Sequence, residues 1–85
     1  MNDAVVVEVL LFARAVELAG CRATNISVRA GSSISQLIAC LVAEYPNLTQ
    51  LAKISRWAVG EEFVDTGFEI HVGLQIAMIP PVSGG

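Results

Sequence analysis

The chain has 85 residues, 54% of them hydrophobic, and a formal net charge of −3. This length supports one domain with a modest core, so we expect part of the apolar surface to lie outside the core and contact a partner. The acidic balance and the lack of a basic run argue against nucleic-acid binding, which needs a positively charged surface.

The first predicted element is a strand, VVVEVLLF, from Val5 to Phe12. Strand side chains alternate between two faces, and both faces of this strand are mostly apolar. One face can join the core, whereas the other needs a different explanation. The run resembles the apolar part of a secretory signal, but Asp3 precedes it without any Lys or Arg and Glu8 interrupts it. We therefore expect no targeting signal, no membrane span and a cytoplasmic protein.

The clearest element is a helix that begins after Ser33. Ser33 and Gln36 have the spacing of a capping box, and Pro46 disfavours helical geometry at the residue before it. Between them, apolar residues recur at the spacing of one buried helix face; these are Ile34, Leu37, Ile38, Leu41, Val42 and Tyr45.

The remaining elements are shorter. Ala13–Gly20 is predicted to be a helical turn closed by its glycine, and Ala23–Ala30 is predicted to be a strand. After the main helix we expect a second helical piece over residues 48–54, two strands around a turn at Gly60 within residues 56–64, and a last strand over residues 75–80. One main helix on one face of a mixed four- to five-stranded sheet is an α+β domain, and its other sheet face has no helix to cover it.

Cysteine and histidine are scarce. Cys21 and Cys40 lie among apolar residues and are expected to be reduced and buried. Together with His71, in a predicted loop, they do not provide the ligands of a closed zinc site. We therefore expect no metal site.

The chain ends in an unusual tail, residues 80–85, after a domain of residues 1–79. Pro80 and Pro81 favour an extended path, Val82 and Ser83 follow, and Gly84 and Gly85 remove all side chains from the end. Such an end fits a narrow tunnel, and its reactive group would be the carboxylate of Gly85. Because no phosphate-binding motif or base–nucleophile pair is evident, we expect other enzymes to activate that carboxylate. A terminal Gly-Gly alone could also have no function.

Four segments together resemble the MoaD family, the small sulfur carrier subunits of molybdopterin synthase: VEVLLFARAVELAG, SISQLIACLVAEYP, WAVGEEFV and IAMIPPVSGG. They cover nearly the whole chain. The resemblance implies a β-grasp, ubiquitin-like fold with a flexible tail. Two departures are Gly60, where relatives often have Asn, and Leu74-Gln75, where many have Asp-Glu. The second leaves open how the activating enzyme recognises the chain.

The resemblance also implies a function. An enzyme related to the ubiquitin-activating enzymes would use ATP to adenylate Gly85, and a sulfur donor protein would convert it to a thiocarboxylate. The tail, Pro80 to Gly85, would enter a MoaE-like large subunit and give sulfur to cyclic pyranopterin monophosphate. The chain would be a non-catalytic subunit of a heterotetrameric transferase, without a permanently bound cofactor.

The family's contact surface for the large subunit corresponds to Phe12, Phe63 and Ile79. Phe12 is predicted to lie on the less buried face of its strand. The sequence does not fix which way Phe63 and Ile79 face, so core placement stays open for both.

Other functions stay open as well. Sulfur carriers for thiamine synthesis or tRNA thiolation share the fold and the Gly-Gly end, although the PPVSGG ending and the chain length favour the molybdopterin type. A ubiquitin-like modifier would be conjugated to lysines through Gly85. An interaction module would have an inert tail.

Overall fold

The structure is a computed structural model and describes residues 3–82. Its elements follow the predicted order. They are strand β1 (Ala4–Leu11), helix α1 (Arg14–Ala19), β2 (Ala23–Arg29), α2 (Ile34–Glu44), a 3₁₀ turn (Pro46–Leu48), α3 (Thr49–Ile54), β3 (Arg56–Val59), β4 (Glu62–Val64) and β5 (Gln75–Ile79).

The strands form one five-stranded sheet in the order β2-β1-β5-β3-β4. β1 and β5 are parallel, whereas the other neighbouring pairs are antiparallel. The last strand in the chain therefore occupies the middle of the sheet. As a result, the tail leaves from the centre of the molecule and not from an edge.

The helices cover one face of the sheet. The inward side chains of β1, Val7, Val9 and Leu11, are 0–2% exposed. They join the buried residues of the other elements in one cluster, which includes Ile26, Val28, Ile34, Leu37, Leu41, Leu48, Trp57, Ile70, Ile76 and Met78. This side of the sheet is the core.

The opposite face of the sheet, here called the outer face, carries exposed apolar side chains. On β1 the alternate side chain Val6 is 57% exposed, and Phe12, just after β1, is 46% exposed. The prediction that both faces of the first strand are apolar, with one outside the core, is confirmed.

Helix α2 has the predicted start and buried stripe. The Ser33 Oγ accepts a hydrogen bond from the Gln36 backbone N–H at 3.3 Å, and the Ser33 N–H donates to Gln36 Oε1 at 2.8 Å. This reciprocal pair satisfies two N–H groups that a helix start otherwise leaves unpaired. Ile34, Leu37 and Leu41 are fully buried. The helix ends at Glu44, and the next residue, Tyr45, is no longer helical.

Two glycines have the backbone conformations that their predicted roles, a helix end and a turn, require. Gly20 follows α1 with a φ of 78° and closes the helix, and Gly60 has a φ of 63° in the turn between β3 and β4. Residues with a side chain rarely adopt such angles. Gly60 thus supplies the positive φ in the turn between β3 and β4.

The prediction of two buried thiols is wrong. Both cysteines are free, but Cys40 is exposed and Cys21 is only half-buried. Cys40 lies on α2 outside the apolar stripe, so the helix turns its side chain toward solvent. The longest helix in the described part, α2, has 11 residues, and none of the helices there has the length and apolarity of a membrane span.

Candidate functional site

The tail begins at the end of the central strand. β5 ends at Ile79, Pro80 is buried, and Pro81 and Val82 are exposed. Val82 is 94% exposed. Pro80 therefore still packs on the domain, and the chain leaves the surface at Pro81. The predicted tail residues Ser83 and Gly84 and the predicted reactive residue Gly85 lie outside the described residues.

An uncharged row crosses the outer face and includes one residue from every strand. The strand registers place its members side by side; they are Ala23, Leu10, Ala77, Ala58 and Phe63. Ala58 is only 7% exposed yet does not belong to the core cluster. Its burial comes from its neighbours on the outer face.

Of the three predicted interface residues, Phe63 is the last member of this row, and Phe12 and Ile79 lie beside the row at the side nearer the tail. Phe12 directly follows Leu11, the register partner of Met78, and Ile79 directly follows Met78. Phe12 and Phe63 are 46% and 52% exposed, and Ile79 is half-buried. Core placement is thus excluded for Phe63, and Ile79 belongs to the outer face. We call Leu10, Phe12, Ala58, Phe63, Ala77 and Ile79 the outer patch.

A strained backbone adjoins the patch. Ala13, immediately after Phe12, has a φ of 53° and a ψ of −126°, angles that are normally left to glycine. Together with Leu10, Phe12 and Val16 it lines a cavity of about 330 Å³. Alanine is not a turn signal, so this bend between β1 and α1 was not predictable from the sequence pattern.

Polar contacts flank the patch on both sides. Toward the far end of the sheet, the Gln75 Nε2 donates to Glu8 Oε1 at 2.6 Å. Toward the tail, the Arg56 guanidinium carbon lies 3.8 Å from the centre of the Phe63 ring. Sequence reasoning missed Arg56, because its contact with Phe63 depends on the register of β3 with β4, which the sequence pattern does not fix.

Metal ligands are not gathered anywhere in residues 3–82, since no group of three or more His, Cys, Asp or Glu side chains there is suited to hold an ion. The arrangement that the structure does build is an apolar patch, exposed mainly at Phe12 and Phe63, beside the point where the chain leaves β5.

Comparison with known proteins agrees with this arrangement. The ThiS family model matches residues 9–85. The human molybdopterin synthase sulfur carrier subunit is 38% identical over 93% of this chain and 93% of its own length. The structure of SAMP1 from Haloferax volcanii has a TM-score of 0.85 at 26% identity, covering 94% of this chain and 99% of that one.

A structure of subunits 1 and 2 of the molybdopterin-converting factor from Helicobacter pylori contains a further relative in fold. Its matched chain has a TM-score of 0.63 at 21% identity, over 94% of this chain and 99% of its own. The fold is the ubiquitin-like β-grasp. The chain belongs to the ThiS family and, within it, to the MoaD-type sulfur carrier subunits of molybdopterin synthase.

Proposed function

We propose that the chain carries sulfur on its C-terminal residue, Gly85, and delivers it to the pterin precursor of the molybdenum cofactor. The observation that carries the proposal is the position of β5. It lies in the middle of the sheet between β1 and β3 and leads through Pro80 and Pro81 into the Gly-Gly end. A central strand is a rigid base for a tail that must reach a remote active site.

The chemistry begins with a carboxylate, which is a poor electrophile. An activating enzyme related to the ubiquitin-activating enzymes would join Gly85 to AMP from ATP, with release of pyrophosphate. A sulfur donor protein would then supply sulfur at the oxidation level of sulfide, which would displace AMP and leave a thiocarboxylate. In each transfer, the sulfur would form a bond to cyclic pyranopterin monophosphate, water would cleave the bond between that sulfur and the Gly85 carbonyl carbon, and Gly85 would return to a carboxylate. Two such transfers would complete the dithiolene.

The partner for this transfer is a MoaE-like large subunit. The structure from Helicobacter pylori is of a complex of subunits 1 and 2. In the present chain the outer patch offers Phe12, Phe63 and Ile79 for the same kind of contact, next to the tail. Burying exposed aromatic side chains in a partner's pockets is a usual source of affinity at interfaces.

The proposal is tested by the intact mass of the untagged protein purified from its own host. We expect a species heavier by one oxygen-to-sulfur replacement, located at Gly85 by fragmentation. A chain that lacks Gly85 is the control and should never show this increase. Sulfur on Cys21 or Cys40 instead of Gly85 would contradict the proposal.

A second candidate function is conjugation to other proteins. It is favoured by the structural likeness to SAMP1, the small archaeal modifier protein 1 of Haloferax volcanii. Conjugates of higher mass, joined to lysines through Gly85 and lost when Gly85 is deleted, would support this function. Their absence from cells that make the thiocarboxylate would leave sulfur transfer as the function.

A further inference from the structure

Glu8 and Arg56, two charged side chains on the outer face beside the outer patch, differ in whether a hydrogen bond already engages them. Glu8 accepts a hydrogen bond from Gln75. Arg56 forms no ion pair within residues 3–82, where the pair found is Arg14 with Glu17. A guanidinium has several N–H donors and no acceptor. Of these two charges, Arg56 is therefore the one with N–H donors left to offer a partner.

The contact with Phe63 holds this charge in place. The Arg56 Cζ atom lies 3.8 Å from the ring centre, a distance at which the cation is attracted by the face of the ring. A guanidinium held over a ring still has its N–H groups available in its own plane, where they can bind a carboxylate through two parallel hydrogen bonds. Less side-chain freedom is then lost on binding.

Arg56 also lies close to the tail. Its register partner is Ile79, the last residue of β5. Arg56 and the neighbouring Asp65 line one cavity of about 490 Å³. The Asp65 carboxylate forms no ion pair with Arg56; its Oδ1 accepts a hydrogen bond from the Gly67 backbone N–H at 2.8 Å. A protein that binds the chain where it leaves β5 covers this part of the outer face.

Covering Arg56 has a consequence for the partner. Removing a charge from water without pairing it is costly. A purely apolar partner surface would suit Phe12 and Phe63 but would leave the Arg56 guanidinium unpaired. A carboxylate facing Arg56 removes that penalty and fixes the orientation of the docked partner.

We infer that Arg56, held against Phe63, determines partner specificity by binding an Asp or Glu side chain of the large subunit beside the entrance for the tail. This inference rests on the proposed function, because it takes the large subunit as the partner. It adds a charged contact that Phe12, Phe63 and Ile79 do not provide.

The test measures the affinity of the full-length chain for the large subunit of the same organism by calorimetry. Arg56→Glu should weaken binding by about tenfold or more, because it places like charges face to face. The affinity of Arg56→Lys should lie between those of the wild type and Arg56→Glu, because lysine keeps the charge without the planar pair of donors. The matched control is Arg29→Glu, an exposed residue that pairs with Ala4 at the other end of the sheet, and it should change the affinity by less than about twofold.

Two further measurements, the salt dependence of the affinity and a compensating change in the large subunit, distinguish a charge contact from a merely structural role of Arg56. Wild-type affinity should fall as salt is raised, and the affinity of Arg56→Glu should fall less. Changing the facing carboxylate of the large subunit to arginine should restore binding of Arg56→Glu and weaken binding of the wild type. Thermal melts check that each variant is folded.

The outcomes are distinct. Equal binding by wild type and a folded Arg56→Glu variant would overturn this inference and leave the proposed function standing. Weaker binding that depends on neither salt nor any large-subunit carboxylate would also overturn it, because Arg56 would then act only by holding Phe63. A wild-type chain that does not bind the large subunit would overturn the proposed function together with this inference.

Discussion

The side chains of Gln75 and Glu8, on adjacent parallel strands, are joined by a hydrogen bond of 2.6 Å from Nε2 to Oε1. Here the amide donates to a carboxylate that the neighbouring strand supplies. The outer face thus keeps one negative charge at this position in the sheet, on β1.

Replacing Gln75 with Glu tests that relationship. The change loses the donor and puts two carboxylates side by side, and like charges on paired strands are destabilising. We expect Gln75→Glu to lower the free energy of unfolding by about 0.5–1 kcal/mol at low salt, measured by urea denaturation. Raising the salt should reduce the loss, because both groups are exposed. The double variant Gln75→Glu/Glu8→Lys should recover the lost free energy of unfolding. A loss that persists in the double variant would contradict the interaction between the two side chains.

A charge on the outer patch should weaken binding without unfolding the domain. We expect Phe12→Asp to reduce the affinity for the large subunit by about tenfold or more, since an aromatic anchor is lost and a charge is desolvated. Val6→Asp is the matched control, because Val6 lies on the same face of β1 and is 57% exposed but is remote from the tail. Equal affinities of the two variants by calorimetry would place the interface elsewhere.

The backbone at Ala13 predicts an unusual stabilising change. Ala13→Gly removes the Cβ that makes a φ of 53° unfavourable, so we expect the free energy of unfolding to rise by up to about 1 kcal/mol. The same substitution at Ala39, exposed within α2, should lower it by about 0.5–1 kcal/mol. Chemical denaturation measures both, and destabilisation by Ala13→Gly would contradict the strain.

The bare end of the tail yields a prediction from the sequence alone. Gly84→Ala adds a methyl group where a narrow tunnel would have to accept it. We expect the rate of sulfur transfer to fall by about tenfold, since small misplacements at a reacting centre are costly, while the thermal melt stays unchanged. Ser83→Ala is the control and should transfer sulfur at nearly the normal rate. A normal rate for Gly84→Ala would count against the tunnel.

Local signals in the sequence predicted the elements well. The capping pair Ser33 and Gln36, the stop at Pro46 and the positive φ at Gly60 each depend on a few neighbouring residues, and each is confirmed. The apolar outer positions of β1 were visible for the same reason, because period-two alternation is a local property. The uncovered sheet face was predicted because the sequence contains one main helix, which can cover only one of the two faces of the sheet.

Features that depend on distant residues were not predictable in this way. The central place of β5 arises from pairing with β1 and β3, which the pattern of either strand does not specify. The Arg56–Phe63 contact depends on the register of the β3–β4 hairpin. Cys40 looked apolar in its context, but helical geometry turned it outward. Gly85 was predicted as the reactive residue from the bare Gly-Gly end and from the resemblance to the MoaD family, and not from the packing of the domain; it stays a prediction.

The most direct test of sulfur transport is a single-turnover reaction. The chain bearing a Gly85 thiocarboxylate is mixed with the large subunit and cyclic pyranopterin monophosphate, and mass spectrometry follows both the protein and the pterin. We expect Gly85 to return to a carboxylate as the pterin gains sulfur, with two chains consumed for each dithiolene. A pterin that gains sulfur while the Gly85 thiocarboxylate stays intact would contradict it, and so would a pterin that gains none.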